Sequence, residues 1–430
     1  MSGVAERLGR LLAAALGCPF PVGLRAWDGS RSGPVQGPVV VVRSRRALRR
    51  LMWQPGELGV AEAYIAGDLD VEGDVADALG RIGRALRERA QDRRQWPAAA
   101  VTALRLGAIG PRPPAPGARP ARLKGLPHST TRDRAAISHH YDLSNDWYAA
   151  LLDPSMAYSC GYWRTPDDPA YGLADAQRDK LELVCRKLAL APGVRLLDLG
   201  CGWGSLSLYA AREFKAHVTA VTLSREQRDF VEARSREWGL EDLVDVELAH
   251  YREFGAELPA GGYDAACAIE MGEHVGERDY PGFAAVLHRA LRPRGRLLVQ
   301  QMSRGATAPG GGAFIEAYIA PDMHMRPMGR TVGMLEEAGL EVRSVESMRE
   351  HYTRTIDAWR DTLEERWADF AAIAGEATAR VWRLYLAGSS LAFAEGRMGV
   401  DQILAVRPTR DGDGGMPPVR EDWYAEGGRP

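Results

Sequence analysis

A glycine-rich turn between a strand pattern and a helix pattern most constrains the fold of this 430-residue sequence. An apolar strand pattern covers residues 194–198, and apolar residues recur at helical spacing over 205–212; the glycines between them are Gly200, Gly202 and Gly204. Glycine has no Cβ, so the turn backbone can approach a ligand closely, and the helix start offers unpaired N–H groups. The run therefore predicts strand, turn and helix with a ligand at the turn; the alternative is an ordinary βα turn without one.

Helix and strand patterns alternate after this turn. The predicted strands cover residues 217–223, 244–248, 263–269, 295–301 and 341–348, and the predicted helices between them cover 225–239, 281–291 and 331–338. This alternation is typical of an α/β fold with a parallel, doubly wound sheet, in which ligands bind at the carboxyl ends of the strands.

The spacing of the glycines indicates which ligand the turn holds. A dinucleotide site has the pattern G-x-G-x-x-G and an acidic residue about 20 positions later. Here the glycines follow Asp198 at alternate positions, and the next predicted strand, 217–223, ends without a carboxylate. The pattern D-x-G-x-G-x-G instead resembles the first motif of the Rossmann-like, class I S-adenosylmethionine methyltransferases.

Composition excludes several classes of protein. Apolar residues make up 45% and charged residues 26% of the chain, as in globular proteins, and the net charge of −2 gives no indication of a nucleic-acid partner. The five cysteines are scattered, which argues against a zinc site or a disulfide framework and favours a cytoplasmic protein without a metal. No apolar run reaches 18 residues, so we expect no membrane span.

The length favours more than one domain. We predict an N-terminal docking domain over residues 1–110, a Pro- and Arg-rich linker over 111–126, and a catalytic domain over 127–430. Basic residues dominate 81–124, and apolar side chains interleave with them: Trp96, Leu104, Leu106 and Ile109. This stretch is either a solvated helix with a linker or a surface that binds anionic lipid headgroups, at about 1 kcal/mol per well-placed cation.

Several ordered motifs identify a family. Residues 126–408 closely resemble the cyclopropane-fatty-acid synthase family, which includes the mycolic acid cyclopropane synthases. The motifs are Ser138-His-His-Tyr-Asp-Leu-Ser-Asn145, Tyr158-Ser-Cys-Gly-Tyr162, Leu197-Asp-Leu-Gly-Cys-Gly-Trp-Gly204, Val221-Thr-Leu-Ser-Arg-Glu-Gln227, Glu273-His-Val-Gly276 and His351-Tyr-Thr-Arg-Thr355. The run Ala63-Tyr-Ile-Ala-Gly-Asp-Leu-Asp-Val-Glu-Gly73 also resembles the lipid-binding extension of the phospholipid-type members.

The resemblance implies methyl transfer from S-adenosylmethionine to a cis double bond in the acyl chain of a membrane phospholipid. The implied cofactor contacts are Tyr158, Ser159, Asp198, Gly200, Gly202, Gly204, Thr222, Leu223, Gln227 and Ile269. Among them, Gln227 with Thr222 is expected to hold the ribose or the methionyl end. An alkene is a poor nucleophile and its methylation leaves a carbocation, so the chemistry needs a dry, aromatic-lined site with a base.

In the family, that base is thought to be a bound bicarbonate ion. The resemblance assigns its binding to Cys160, Glu273 and Tyr352, together with Gln300 in place of the usual His and Met302 in place of the usual Ile. Glutamine can donate an N–H to bicarbonate but cannot shuttle a proton. If Glu273 holds the anion, Glu273→Gln should reduce turnover far more than cofactor binding.

A second departure concerns the product. Where cyclopropane synthases commonly have a Phe-Pro-Gly-Gly-type turn, this chain has Asp322-Met-His-Met-Arg-Pro327, whose methionines suit an acyl channel. The pattern resembles the actinobacterial branch that makes methylene-branched acyl chains, the precursors of tuberculostearate-type 10-methyl lipids. We therefore expect a methylene product; the alternative is a cyclopropane ring formed after the same first step.

Other readings remain open. The chain could methylate a small molecule, or its N-terminal domain could carry lipid beside a degenerate methyltransferase fold. The lipid-modifying interpretation implies a peripheral protein at the inner face of the membrane and allows a reductase that acts on the product. Homo-oligomerisation is left open.

Overall fold

A computed structural model describes residues 3–88, 96–121, 123–141, 143–258, 262–306 and 310–423. Its helices are α1 (Val4–Leu16), α2 (Arg46–Trp53), α3 (Glu57–Ile65), α4 (Val75–Glu88), α5 (Trp96–Arg105), α6 (Thr130–Tyr141), α7 (Asn145–Leu151), α8 (Leu173–Lys187), α9 (Ser205–Phe214), α10 (Arg225–Glu237), α11 (Tyr251–Glu257), α12 (Tyr280–Ala290), α13 (Ala313–Tyr318), α14 (Met328–Glu337), α15 (Arg349–Glu365), α16 (Trp367–Ala374) and α17 (Glu376–Ala394). Its strands are β1 (Gly23–Ala26), β2 (Arg31–Ser32), β3 (Val39–Val42), β4 (Leu69–Glu72), β5 (Arg195–Leu199), β6 (His217–Thr222), β7 (Val244–Leu248), β8 (Tyr263–Ile269), β9 (Leu291–Arg304), β10 (Glu341–Ser347) and β11 (Met398–Val406).

The chain divides into two compact units. The first comprises Met1–Pro120, Gly312–Ile319 and Trp359–Leu391, and the second Ala121–Gly311, Ala320–Ala358 and Ala392–Pro430. The first unit thus includes two segments that lie within the predicted 127–430 domain. Burial explains the longer one, because Ala387 packs in an apolar cluster with Val75 and Ala76.

The first unit contains a four-stranded sheet in the order β2-β1-β3-β4. Four consecutive valines form β3, and the helix that follows them is α2. The carboxylate of Asp68 is buried and accepts hydrogen bonds from Nε of Arg46 (2.8 Å) and Nε of Arg50 (2.9 Å). A buried carboxylate needs such partners, so these two arginines connect α2 to the start of β4.

The second unit contains a seven-stranded sheet in the order β10-β11-β9-β8-β5-β6-β7. Strands β5 to β9 pair in parallel, as predicted. Successive residues of β5 enter different apolar clusters, Leu196 one and Leu197 the other, so helices cover both faces of the sheet. The α/β, Rossmann-like fold class is therefore confirmed.

The sheet is not wholly parallel. Strand β11, which the sequence analysis did not predict, pairs antiparallel with both β9 and β10. Its residues from Val400 to Val406 are all buried, as expected for a strand with a neighbour on each side. Antiparallel pairing at one side of a mostly parallel sheet is common in such folds.

Among the described residues, no helix combines the length and apolar character required to cross a bilayer.

Candidate active site

A cavity of about 130 Å³ opens where the parallel strands end. Its wall includes the residues that follow β5, β6 and β8, namely Gly200, Leu223 and Glu270. Nine of the ten predicted cofactor contacts line it: Tyr158, Ser159, Asp198, Gly200, Gly202, Thr222, Leu223, Gln227 and Ile269. The position agrees with the rule that open α/β sheets bind ligands at the carboxyl ends of their strands.

The three glycines of the turn have different surroundings, although each has a positive φ. A Cβ on Gly200 would lie 2.8 Å from Cγ of Met271, and one on Gly204 would lie 2.8 Å from Cγ2 of Val231. A Cβ on Gly202 would meet no atom within 4 Å. Gly202 therefore leaves open space at the cavity, whereas Gly204, the one predicted contact outside the lining, permits close packing of the helices.

A buried amide group supports a cofactor at this wall. The hydroxyl of Thr222 donates to Oε1 of Gln227 at 2.7 Å, and Nε2 of Gln227 is buried without a hydrogen-bond partner among the described residues. Burying an unpaired donor is costly, so the arrangement suits a ligand that brings an acceptor. The cavity thus fits an adenosyl cofactor that offers a hydrogen-bond acceptor to Gln227.

Asp198 has internal partners. Its carboxylate accepts hydrogen bonds from the hydroxyl of Ser207 (2.7 Å) and the thiol of Cys267 (3.5 Å). Burial raises the pKa of Asp198, and the hydrogen bonds from Ser207 and Cys267 oppose that rise. Asp198 therefore connects the end of β5 to α9 in addition to lining the cavity.

The carboxylate of Glu270, which the sequence analysis did not single out, is hydrogen-bonded by three of the five predicted catalytic residues: Cys160, Gln300 and Tyr352. Oε1 accepts hydrogen bonds from the backbone N–H of Cys160 (2.8 Å) and from Nε2 of Gln300 (2.9 Å). Oε2 accepts one from the hydroxyl of Tyr352 at 2.6 Å. Its φ of 51° lies in the left-handed region, which is uncommon for a residue other than glycine and concentrates at functional sites.

Electrostatics make Glu270 a candidate base. Burial raises the pKa of this carboxyl, while the hydrogen bonds from Tyr352, Cys160 and Gln300 and the charge of Lys180 oppose the rise. The thiol of Cys160 is fully buried, and its burial next to Glu270 raises its pKa well above the usual value. Cys160 therefore contributes a backbone donor rather than a thiolate.

Glu273 differs from Glu270. Its side chain is fully buried, and neither carboxylate oxygen makes a hydrogen bond of normal geometry to the described residues. Burial and the charge of Glu270 raise its pKa well above the usual value, opposed by the backbone of Met302 and the charge of Arg326. Burial and the charge of Glu270 therefore favour the protonated form of Glu273.

The described residues do not fit a bicarbonate ion. The groups expected to bind it, on Cys160, Gln300 and Tyr352, are already bonded to the carboxylate of Glu270. A second anion would lie against this buried carboxylate with few donors left, and like charges in a buried site repel strongly. Met302 lies two residues beyond Gln300 on β9.

The segment predicted to line an acyl channel braces the turn that carries Glu273. The backbone N–H of His324 donates to the carbonyl of Glu273 at 2.7 Å, and the Arg326 guanidinium donates to the carbonyl of Val275 at 2.7 Å. Arg326 also lies over the ring of Tyr280, with 4.1 Å between its Cζ and the ring centroid. Met325 is buried.

Sequence reasoning also missed three other polar residues of the cavity wall. Lys180 is buried and donates to the hydroxyl of Ser159 at 3.0 Å. At another part of the wall, Nε2 of His250 lies 3.2 Å from Oδ2 of Asp133. Glu270 itself carried a readable signal, because it directly follows a predicted buried strand. The side chains of Ser138–Tyr141 and residue 142, part of a family motif, lie outside the described residues.

Among the described residues, no three His, Cys, Asp or Glu side chains cluster as ligands for a metal ion.

Comparisons with known proteins place the chain in a family. The family model described as mycolic acid cyclopropane synthetase matches residues 128–403. A probable fatty acid methyltransferase of Mycobacterium tuberculosis is 37% identical over 415 residues, which cover 94% of this chain and 95% of the relative. A tuberculostearic acid methyltransferase of the same organism is 30% identical over 418 residues, 94% of this chain and 91% of the relative.

The described fold also matches a solved structure. A mycolic acid cyclopropane synthase complexed with S-adenosylhomocysteine superimposes with a TM-score of 0.58 at 28% identity. The match covers 63% of this chain and 97% of that one.

Proposed function

The chain belongs to the mycolic acid cyclopropane synthetase family and is an S-adenosylmethionine-dependent methyltransferase of lipid acyl chains, and we propose that it methylates a cis double bond in a phospholipid to give a methylene-branched chain. The observation that carries this proposal is the buried carboxylate of Glu270, which three donors hold at the wall of the cofactor cavity.

S-adenosylmethionine supplies an electrophilic methyl group when bound. The carboxylate of Glu270 places a negative charge at the cavity wall, where it stabilises the carbocation that methylation leaves on the acyl chain. After a hydride shifts from the methylated carbon to its neighbour, Glu270 accepts the proton that leaves the new methyl group. The electron pair of that C–H bond forms the exomethylene, and Glu270 then returns the proton to solvent.

The donors around Glu270 set its basicity. The hydroxyl of Tyr352, the amide of Gln300 and the backbone N–H of Cys160 each favour the ionised form, and burial favours the protonated form. A carboxylate whose pKa is raised by burial is a better proton acceptor than an exposed one, which suits general-base catalysis. Because Glu270 carries the base within the chain, no bound bicarbonate is required.

The relatives that span nearly the whole chain support the methylene product. Those reported above are named as fatty acid and tuberculostearic acid methyltransferases and each covers 94% of this chain. Closure to a cyclopropane ring needs the same base but no hydride shift, so it is the second candidate product. The match of 63% of the chain to a cyclopropane synthase structure supports this second candidate.

Product analysis tests this proposal. The protein is incubated with methyl-labelled S-adenosylmethionine and vesicles of an oleoyl phospholipid deuterated at both vinylic carbons. Label in the acyl chain, with both deuterium atoms on the carbon next to the branch, is the result expected for a methylene product. One deuterium on each of the two original carbons would identify a cyclopropane, and acyl chains without label would overturn the lipid substrate. A methylene product needs a reductase to become a saturated methyl branch.

A surface of the first unit supports access to membrane lipids. Four of the exposed apolar side chains of this unit, which we call the apolar patch, are Met52, Trp53, Leu104 and Ile109. The indole N–H of Trp53 donates to the carbonyl of Gly110 at 3.1 Å, which brings the end of α2 beside the segment after α5. Leu106, which the sequence analysis grouped with these residues, is buried in the core of the unit.

Arginines accompany the apolar patch. Arg49 donates to the carbonyl of Gly107 at 3.2 Å, and the side chain of Arg45 also lies against Gly107. Arg105 and Arg112 are exposed in the same segment. Apolar and aromatic side chains next to cations are the composition of interfacial membrane-binding surfaces. We therefore propose that the apolar patch docks on anionic bilayers at the inner face of the membrane.

A further inference from the structure

The amide of Gln300 belongs to a chain of buried hydrogen bonds that extends away from the cavity. Oε1 of Gln300 accepts from Nε2 of Gln402 at 2.8 Å, and Oε1 of Gln402 accepts from Nζ of Lys187 at 2.6 Å. These three side chains are at most 1% exposed. This hydrogen-bond chain connects the end of α8, through β11 and β9, to the carboxylate of Glu270.

The order of strands makes this connection possible. Strand β11 lies next to β9, and the backbones of Gln402 and Gln300 are directly paired in register. Side chains of directly paired residues point to the same face of a sheet, so the two amides meet. Lys187, the last residue of α8, reaches the same face.

The chemistry of these groups gives the hydrogen-bond chain one direction, in which each group donates to the next from Lys187 to Glu270. An ammonium can only donate, so Gln402 must turn its oxygen to Lys187 and its amide nitrogen to Gln300. Gln300 must then turn its oxygen to Gln402 and its amide nitrogen to Glu270. The reverse orientation would place N–H against N–H at Lys187 and a carbonyl oxygen against the carboxylate of Glu270.

We propose that Lys187 is a remote positioning residue, which fixes the direction of the two glutamine amides so that Gln300 always presents an N–H to Glu270. The proposal rests on the role of Glu270 as base. Glutamine amides can turn end for end, and a protonated Glu270 could donate to the oxygen of a turned Gln300. Lys187 disfavours that turned orientation, because Gln402 must keep its oxygen toward the ammonium and its amide nitrogen toward Gln300.

The charged and titratable groups around the hydrogen-bond chain are consistent with this role of Lys187. Lys187 also donates to Glu346, and Arg420 is a further charge near it. Glu270 is faced by Lys180, Tyr352, Cys160 and Glu273.

Gln402→Glu is the decisive variant. The new carboxylate has nearly the same shape and still accepts from Lys187, but it cannot donate to Gln300. Gln300 then lies between two carboxylates and can give its amide nitrogen to only one of them, so Glu270 loses this donor whenever Gln300 turns toward residue 402. Because a hydrogen bond to a charged group shifts a pKa by about one unit or more, the acid limb of the kcat–pH profile should move up by at least about one pH unit.

A second measurement does not depend on turnover. S-adenosylmethionine is cationic at sulfur and S-adenosylhomocysteine is not, so the ratio of their affinities reports the negative charge of Glu270. In Gln402→Glu, the pH at which this ratio falls should rise by the same amount, and the affinity for S-adenosylhomocysteine should stay within about threefold.

Two comparisons separate the effect of amide direction from a general structural effect of the substitutions. Glu346→Gln keeps an acceptor for Lys187 and leaves both amides as they are, so its pH profile should match the wild type. Lys187→Gln can donate or accept and leaves the direction free, whereas Lys187→Arg restores a group that only donates. We expect the shift in Lys187→Gln and its reversal in Lys187→Arg.

The results distinguish this proposal from the proposed function. If Gln402→Glu binds S-adenosylhomocysteine normally and keeps the wild-type pH dependence of turnover and of the affinity ratio, the directing role of Lys187 is overturned. An equal shift in Lys187→Arg and Lys187→Gln would overturn it as well, even if Gln402→Glu does not fold. Full activity in Glu270→Gln would instead remove Glu270 as the base, whatever the Gln402 variants show.

Discussion

Glu270 combines burial, backbone strain and three hydrogen-bond donors at one carboxylate. A left-handed φ at a non-glycine residue costs free energy, on the order of 1 kcal/mol or more, and persists only where the surroundings hold it. Here the residues that hold it are those that the family resemblance placed in the active site.

The first prediction concerns Glu270→Gln. The amide keeps the size of the side chain but cannot accept a proton, so we expect kcat to fall by about 10²- to 10⁴-fold. The affinity for S-adenosylhomocysteine should change little, because the cavity wall keeps its shape. Steady-state turnover with labelled cofactor and calorimetric titration measure the two quantities. A variant with more than about a tenth of the wild-type rate would exclude Glu270 as the base.

Glu273 gives the matched second prediction. The sequence analysis expected Glu273→Gln to reduce turnover far more than cofactor binding if Glu273 holds the anion. The burial of Glu273 beside Glu270 is a physical reason to expect a small effect instead. Because burial and the charge of Glu270 favour the protonated form of Glu273, an amide should replace it with a rate within about threefold of wild type. The same turnover assay measures it. Loss comparable to that of Glu270→Gln would mean that Glu273 works in its ionised form.

The third prediction is the pH dependence of turnover. The pKa of Glu270 is raised above that of an ordinary glutamate, and the base works ionised, so activity should fall as the pH drops through this raised pKa. Tyr352→Phe removes a donor that favours the ionised form, so the acid limb of kcat should move to higher pH by about one unit or more. A kcat–pH profile of both proteins measures the shift; an unchanged or lower limb contradicts the assignment.

At the scale of elements, different glycines of the turn serve cofactor binding and helix packing. Gly202 leaves space at the cavity, whereas the nearest side chain fills the space at Gly204. The strand before the turn and the helix after it are local patterns, so the sequence predicted both of them together with the turn between them.

This division gives the fourth prediction. In Gly202→Ala the methyl group enters space left for the cofactor, so the affinity for S-adenosylhomocysteine should fall by about tenfold or more. The free energy of unfolding should fall by about 1 kcal/mol, because alanine is strained at a positive φ. In Gly204→Ala the methyl group meets Val231, so the free energy of unfolding should fall further, by about 2–4 kcal/mol, with less effect on affinity in the folded fraction. Calorimetric titration and denaturant unfolding compare the two. Equal losses of affinity in Gly202→Ala and Gly204→Ala would contradict this division of roles.

At the scale of the whole molecule, the apolar patch of the first unit supplies the fifth prediction. Trp53→Ser should weaken binding to anionic vesicles by about tenfold, because the indole accounts for a large part of the apolar area offered to the bilayer. Added salt should weaken wild-type binding as well, since the accompanying arginines contribute by charge. Vesicle sedimentation measures both effects.

Val35→Ser is the matched control for the apolar patch. Val35 is apolar and almost fully exposed in the same unit but does not belong to the patch, so this variant should bind vesicles like the wild type. Equal loss in the two variants would point to general exposure of apolar side chains, and no loss in Trp53→Ser would remove the patch from membrane binding.

The sequence by itself determined the strands β5 to β9, the glycine turn and most of the cavity wall. These features depend on short patterns: apolar runs bounded by turns, glycines at fixed spacing, and motifs that resemble one family. The N-terminal domain was predicted from the length of the chain and its motif, whereas the later segments that join the first unit are recognised only by what they pack against.

Only the tertiary structure decided how the base is held. Cys160 lies 110 positions from Glu270 in the sequence, and Tyr352 lies 82 positions away, so no local pattern relates them. The insertion of β11 between β9 and β10, which pairs Gln402 with Gln300, depends on the register of strands about 100 residues apart. Register is set by which side chains the folded core buries, and that is a property of the packed molecule rather than of any one segment.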